Sequence, residues 1–411
     1  MPRLPRRLGA RFVALLRADP EGVRAGFVAL LISTVTGLIA GIVLGKITHT
    51  LEELPGLLIL VPAAVGMRGN VFGALGSRLG TSVHAGTFRL SARVDTEVGQ
   101  NLAASVTLSM ALAFLLAIVA KGFAVAFGVQ HSISLGDFVV VSVIGGLIPI
   151  VVVMAITIAV SAGSSRYGWD LDNVAAPVVT AAADSVTLPS LFLATALVGI
   201  SGVTPVLAVL CAIVCSGALV AGVRTHLPTL RRIVRESVPI LLLSGCISML
   251  AGLTIQGQLN ALVTLPVLLV VIPPLLSLSG SLPGILSSRL ATKLHLGVVE
   301  VRRGMWRGMV EDVMLVYLLA TVIFVVLGVL TDVLGAVLGL EGPGSATTIG
   351  VVVVAGLLAT TWTNFVGYAG AVGTYRYGLD PDNFGIPIVS GTSDLLGAVA
   401  LILSLVIFGI T

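Results

Sequence analysis

The chain has 411 residues, of which 56% are hydrophobic and 10% charged, with a formal net charge of +4. A soluble domain carries about a quarter charged residues, so a water-soluble core is excluded and a polytopic helical membrane protein is indicated. The basic excess is not a nucleic-acid surface. Arg3, Arg6, Arg7, Arg11, Arg17 and Arg24 precede the first apolar segment and later basic residues cluster in alternate loops, which is the distribution of positive-inside topology.

The apolar runs predict eleven spans at 25–46, 56–79, 99–128, 137–162, 174–200, 203–222, 237–257, 264–290, 310–331, 348–373 and 384–410. The first is too long for a signal-peptide core and reads as retained. With the N-terminus in the cytoplasm, inward segments hold Arg89 and Arg93, then Arg166, then Arg224, Arg231, Arg232 and Arg235, then Lys293, Arg302, Arg303 and Arg307, then Arg376. Outward segments hold Glu52, Glu53, Asp137, Asp332 and Glu341. The C-terminus is then outside, and the expected location is the plasma or inner cell membrane. Cys211, Cys215 and Cys246 fall inside apolar segments at spacings that suit neither a disulfide framework nor zinc.

An internal repeat organises these spans. RYGWDLDNVAAPVVTAAADS from Arg166 matches RYGLDPDNFGIPIVSGTSDL from Arg376 at an offset of 210. PAAVGMRGNVFGALGSRLGTSVHAG from Pro62 matches PPLLSLSGSLPGILSSRLATKLHLG from Pro273 at an offset of 211. The expected division is a basic N-terminus (1–24), a first five-helix unit (25–202), a linking span with a basic loop (203–235) and a second five-helix unit (236–411). Five spans plus one is an even number, so the second unit enters the membrane from the same side as the first. The fold class is therefore all-α, with two parallel repeats about a pseudo-two-fold axis along the membrane normal.

Asp184 and Asp394 stand in otherwise uncharged apolar stretches, seven residues after Pro177 and Pro387. An ionisable group at the centre of a membrane helix costs at least ~2.5–3.5 kcal/mol, so it persists where it meets a cavity, a partner or an ion. Hydroxyl residues surround both: Thr180, Ser185 and Thr187 in the first unit, Ser390, Thr392 and Ser393 in the second. Carboxylates and hydroxyls are hard oxygen ligands. Magnesium sheds water reluctantly and is usually held by one or two carboxylates with several waters retained. Paired aspartates across an axis therefore suit a largely hydrated divalent cation. A proton relay and a structural buried carboxylate are the competing readings.

The Pro- and Gly-rich segments ending in Ser77-Arg78-Leu79 and Ser288-Arg289-Leu290 are expected to be helices with an irregular middle near the axis. Asn70 and Ser281 occupy matching positions there, and Arg78 and Arg289 are read as snorkelling to the interface. Arg68 lies deeper, with Ser279 at its position in the second copy. His84 and His295 are read as structural. Asp170, Asp172, Asp380 and Asp382 precede Asn173 or Asn383 and read as helix N-caps, with a cytoplasmic-mouth cation site as the alternative. Thr360, Thr361, Thr363 and Asn364 form a polar run in the tenth span, and Met154 matches Asn364. Asn70, Thr180, Ser281, Ser390, Thr392 and Asn364 are thus the candidates for lining an ion path. No phosphate-binding loop, zinc-protease motif or dinucleotide fingerprint is present, and no nucleophile–base pair stands out, so an enzyme is not expected.

At these residues the chain resembles the MgtE magnesium transporters and the related solute carrier family 41. The likeness rests on the segment from Pro62, its weaker copy from Pro273 and the two Asp-x-Asp-Asn…Pro…Asp blocks, and it covers both units. It implies a pore at a two-fold axis, as if two MgtE subunits were fused, with Asp184 and Asp394 matching the fifth-helix aspartates that bind hydrated Mg²⁺. The large cytoplasmic gating domains of MgtE proteins have no counterpart in the ~24 residues before the first span, so their Mg²⁺ sensing is not carried over. Ser281 in place of Asn70 departs from an equal contribution of the two halves.

The resulting expectation is transport of Mg²⁺ or a related divalent cation, with no resident cofactor. The lipid bilayer and the cation are the partners, and the chain acts as a pseudo-dimer complete as a monomer. The alternative is a Na⁺- or H⁺-coupled carrier using the same aspartates. A membrane enzyme or scaffold ranks last.

Overall fold

The computed structural model describes residues 20–86, 88–89, 91, 93–167, 171–295, 305–377 and 385–410. Among them the chain is helical: α1 Pro20–Lys46, α2 Thr48–Glu53, α3 Leu57–His84, α4 Glu97–Ala126, α5 Leu135–Tyr167, α6 Leu171–Thr195 and α7 Val203–Arg224. Then follow α8 Pro228–Gln256, α9 Leu259–Thr264, α10 Pro266–His295, α11 Met305–Leu338, α12 Ser345–Tyr377 and α13 Ile386–Ile407. Eleven of these are long and apolar enough to cross a bilayer, because long unbroken apolar runs satisfy every backbone group internally as helix. The chain is a polytopic membrane protein of the expected span number.

The short helices α2 and α9 fall between or at the edges of the expected spans. They lie at the same offset of 211, and each is anchored by one buried leucine, Leu51 and Leu262. Gly56 then turns the chain into α3 with a φ of +95°, a conformation open to glycine at little steric cost.

The long helices form a first set (α1, α3, α4, α5, α6) and a second set (α8, α10, α11, α12, α13), which exchange their leading helices. α1 packs on α6 of its own set and along α10 of the other, while α8 packs on α13 of its own set and along α3 and α4 of the other. Gly41 and Gly252 stand at the two crossings. A methyl group on Gly41 would collide with the Val270 carbonyl, and one on Gly252 with the carbonyls of Leu58 and Ile59. Pro274 and Pro62 lack the N–H that would bond Val270 O and Leu58 O. The carbonyls freed by proline are thus the ones the opposing glycines sit against, and small residues let the backbones approach.

That packing corrects one expectation. α3 and α10 run as continuous helices with no irregular middle, although they contain Pro62 and Pro273, Pro274 and Pro283. Neighbouring helices close over the freed carbonyls, so the helix need not unwind. α7 lies at the edge against α4 and α5, and most of it is left uncovered by the other helices. Val206, Val209, Ile213 and Val214 on it are exposed and suited to lipid.

Candidate functional site

Asp184 on α6 and Asp394 on α13 are buried, with 6% and 8% of their surface exposed. Asp394 lies within electrostatic reach of Asp184. Ser277 on α10 donates to Asp184 Oδ2 at 2.7 Å, and Ser248 on α8 donates to Asp394 Oδ2 at 2.7 Å. Ser277 Oγ is also 2.8 Å from Ser33 Oγ on α1. The Asp184 bond therefore joins the two helix sets.

The offset of 211 pairs Ser277 with Gly66 and Ser248 with Gly37. A methyl group on Gly66 would stand 3.4 Å from Asp394 Oδ2, so that position faces an aspartate in both sets. Each aspartate keeps one serine, Asp184 from the α3/α10 position and Asp394 from the α1/α8 position. The sequence reading missed both serines. The signal was available in the aligned repeat, where a hydroxyl replaces glycine in a polar stretch.

Among the described residues neither carboxylate is within ion-pair distance of a cationic side chain. Nor is there any group of three or more His, Cys, Asp or Glu able to hold a metal. What the two aspartates offer is a sparse, hard-oxygen arrangement with few protein ligands. It suits an ion that brings its own water.

The MgtE family, described as divalent cation transporter, matches this chain twice, over residues 61–194 and 272–404. The chain belongs to the MgtE family. Solute carrier family 41 member 3 of Rattus norvegicus is 25% identical over 88% of this chain and 82% of its own length. Solute carrier family 41 member 2 of Xenopus laevis is 27% identical over 88% of this chain and 68% of its own length. No solved structure matches. MgtE-family proteins are membrane transporters of divalent cations rather than enzymes.

The remaining candidates of this MgtE chain fall in different places. Asn70 lines a cleft with Ala74, Arg78, Ser237, Leu241 and Pro387, between α3, α8 and the start of α13. Thr180 faces Gly69 of α3, with its methyl 3.5 Å from where a Cβ would stand. Ser281 donates to the Ser277 carbonyl at 2.9 Å, and Thr392 to Ile388 O of its own helix at 2.7 Å. Ser390 is half-buried on α13. Asn364 is buried on α12, and neither of its amide atoms has a partner. Asp170, Asp380 and Asp382 lie outside the described residues, as does the side chain of Asp172.

Two arginines behave differently from the expectation or beyond it. Arg289 does not simply reach outward, because its Nε is 3.0 Å from Asp312 Oδ1, and Lys293 pairs with the other oxygen. Asp312 is fully buried, and it is inconspicuous in the sequence because it lies in the first turns of α11, close to the basic run Arg302, Arg303 and Arg307. Arg68 is fully buried, donating from Nη1 to Ala64 O at 2.8 Å and from Nη2 to Ser142 O at 3.2 Å. Its Nε has no partner, and it turns toward α5.

Proposed function

We propose that this protein carries Mg²⁺, or a closely related divalent cation, as a largely hydrated ion along a path between its two helix sets. Asp184 and Asp394 are the groups that attract it. One observation carries the reading: two nearly buried carboxylates, one from each set, lie within electrostatic reach, and among the described residues each accepts from one serine hydroxyl. With no cationic side chain paired to either among the described residues, their charge calls for a mobile counter-ion. Asn70, Thr180, Ser281, Ser390, Thr392 and Asn364 remain proposed contributors to the path, and Asp170, Asp172, Asp380 and Asp382 to its cytoplasmic mouth.

On the same reading the protein lies in the cell membrane with the N-terminus inside and the C-terminus outside, and it functions as a monomer. The double family match supports a division near 1–24, 25–202, 203–235 and 236–411. The test is Mg²⁺ flux into proteoliposomes for Asp184→Ala, Asp394→Ala and the double variant. We expect at least a ten-fold loss in each single variant and no measurable flux in the double. Undiminished flux in both single variants would remove the proposal.

The counter-charge can also be a proton or Na⁺, so a coupled carrier is the second reading. Imposed Na⁺ and H⁺ gradients separate the two: indifference to both favours a channel, and strict dependence on either favours the carrier.

A further inference from the structure

In the first helix set, Val179, Ala182 and Ala183 on α6 meet Ile150, Val153 and Met154 on α5, with Phe72, Leu75 and Leu79 of α3 in the same apolar cluster. At the repeat offset of 210, the second set has Val389, Thr392, Ser393, Thr360, Thr363 and Asn364. Five of these six positions have changed from apolar to polar. Fully buried Phe72 is replaced by the smaller Pro283.

Two of the new groups are satisfied locally. Thr360 donates to Gly356 O and Thr392 to Ile388 O, both at 2.7 Å. The others are not. Thr363 and Ser393 are completely buried and Asn364 is 7% exposed, yet Thr363 Oγ1, Ser393 Oγ and both amide atoms of Asn364 lack a partner. A buried polar group left unsatisfied is costly, and there are four such atoms on two packed helices. Pro283 also removes the helical donor of the Ser279 carbonyl, adding an acceptor on α10.

The donor set decides the ligand. Two hydroxyls can donate or accept, and one amide does both. No carboxylate is among these groups, and the neighbouring Asp394 already accepts a hydrogen bond from Ser248. A divalent cation is therefore a poor match, whereas a water molecule needs two to four mixed partners of this kind. We infer that the second set holds ordered water in a pocket between α12 and α13, closed by α10, at the place where the first set is filled with hydrocarbon. Ser393 precedes Asp394 in the chain, so α13 has internal water on a face adjoining the one that bears its aspartate. α6 has Ala183 there and stays dry.

The test is a cryo-EM map of the full chain in lipid nanodiscs at a resolution that shows water. The wild-type protein should show at least two peaks at hydrogen-bond distance from Thr363, Asn364 and Ser393, and none beside Val153, Met154 and Ala183. The triple variant Thr363→Val, Asn364→Met and Ser393→Ala installs the first set's residues and should lose those peaks. A dry pocket in the wild type overturns the inference. So does a single peak with the short oxygen distances of a metal ion, or peaks that persist in the triple variant. None of these outcomes depends on which ion the protein transports.

Discussion

Gly146 on α5 and Gly356 on α12 occupy equivalent positions at the offset of 210, yet different side chains fill the notch each leaves. In the first set the guanidinium of Arg68 from α3 enters it, and in the second the ring of Phe324 from α11 does. A shared backbone plan has been kept while its filling has diverged from polar to aromatic. The reverse holds between α5 and α6, where an apolar cluster in the first set becomes hydroxyls and an amide in the second. The repeat fixes where helices cross. It leaves free which residues line the spaces between them.

The largest effect should come from closing the first notch. Gly146→Ala would drive a methyl group into the Arg68 guanidinium, and overpacking of this kind costs about 1–3 kcal/mol. In an Arg68→Ser background, which installs the second set's Ser279 residue, most of that cost should vanish, with a coupling of at least ~1 kcal/mol in a double-mutant cycle of thermal unfolding. Additive effects would mean that Arg68 does not occupy the notch, and the comparison with Phe324 would fail.

The long helices were legible because a membrane span must be both apolar and some twenty residues long, a signal that few soluble segments imitate. Asp184 and Asp394 were legible for the complementary reason, since a lone charge in such a run is costly. Partner choice was not. The exchange of α1 and α8 between the sets leaves little trace in the apolar parts of the two helices, and glycines such as Gly41 and Gly252 that mark it stand among 48. The α2 and α9 helices are six residues each, too short for periodicity to separate from loop. The serines that hold the aspartates were hidden because serine is ordinary in membrane helices, where it often bonds its own backbone. The continuity of α3 and α10 was misjudged because proline's freed carbonyls were assigned to a cavity instead of to a neighbouring helix.

A second contrast concerns the charged cluster on α10 and α11. Asp312 is fully buried against Arg289 and Lys293, whose side chains are 23% and 26% exposed. At the offset of 211 the first set has Asn101, with Arg78 and Ser82 in place of the two cations. Asp312→Asn should cost about 1–2 kcal/mol in thermal unfolding. That is less than the 3–5 kcal/mol of breaking a fully buried pair, because both cations can turn toward water. An unchanged melting temperature would show that the ion pairs add nothing to the second set that Asn101 lacks in the first.

The smallest expected effect is also the most specific. Ser248→Gly removes the hydrogen bond to Asp394 and gives α8 the residue that α1 has at Gly37. Loss of one hydrogen bond, worth about 0.5–1.5 kcal/mol net, should lower Mg²⁺ flux in proteoliposomes by roughly two- to ten-fold. The repeat also supplies the rescue. Gly66 faces Asp394 Oδ2 as Ser277 faces Asp184, so Gly66→Ser in the Ser248→Gly background rebuilds at Asp394 the arrangement already present at Asp184. Flux should return to within about two-fold of the wild type if a single hydroxyl, from either position, is what each carboxylate requires. Failure of the rescue, in a variant that keeps its melting temperature, would mean that the two aspartates are held differently for different tasks. The serine exchange would then be a functional asymmetry and not two routes to one arrangement.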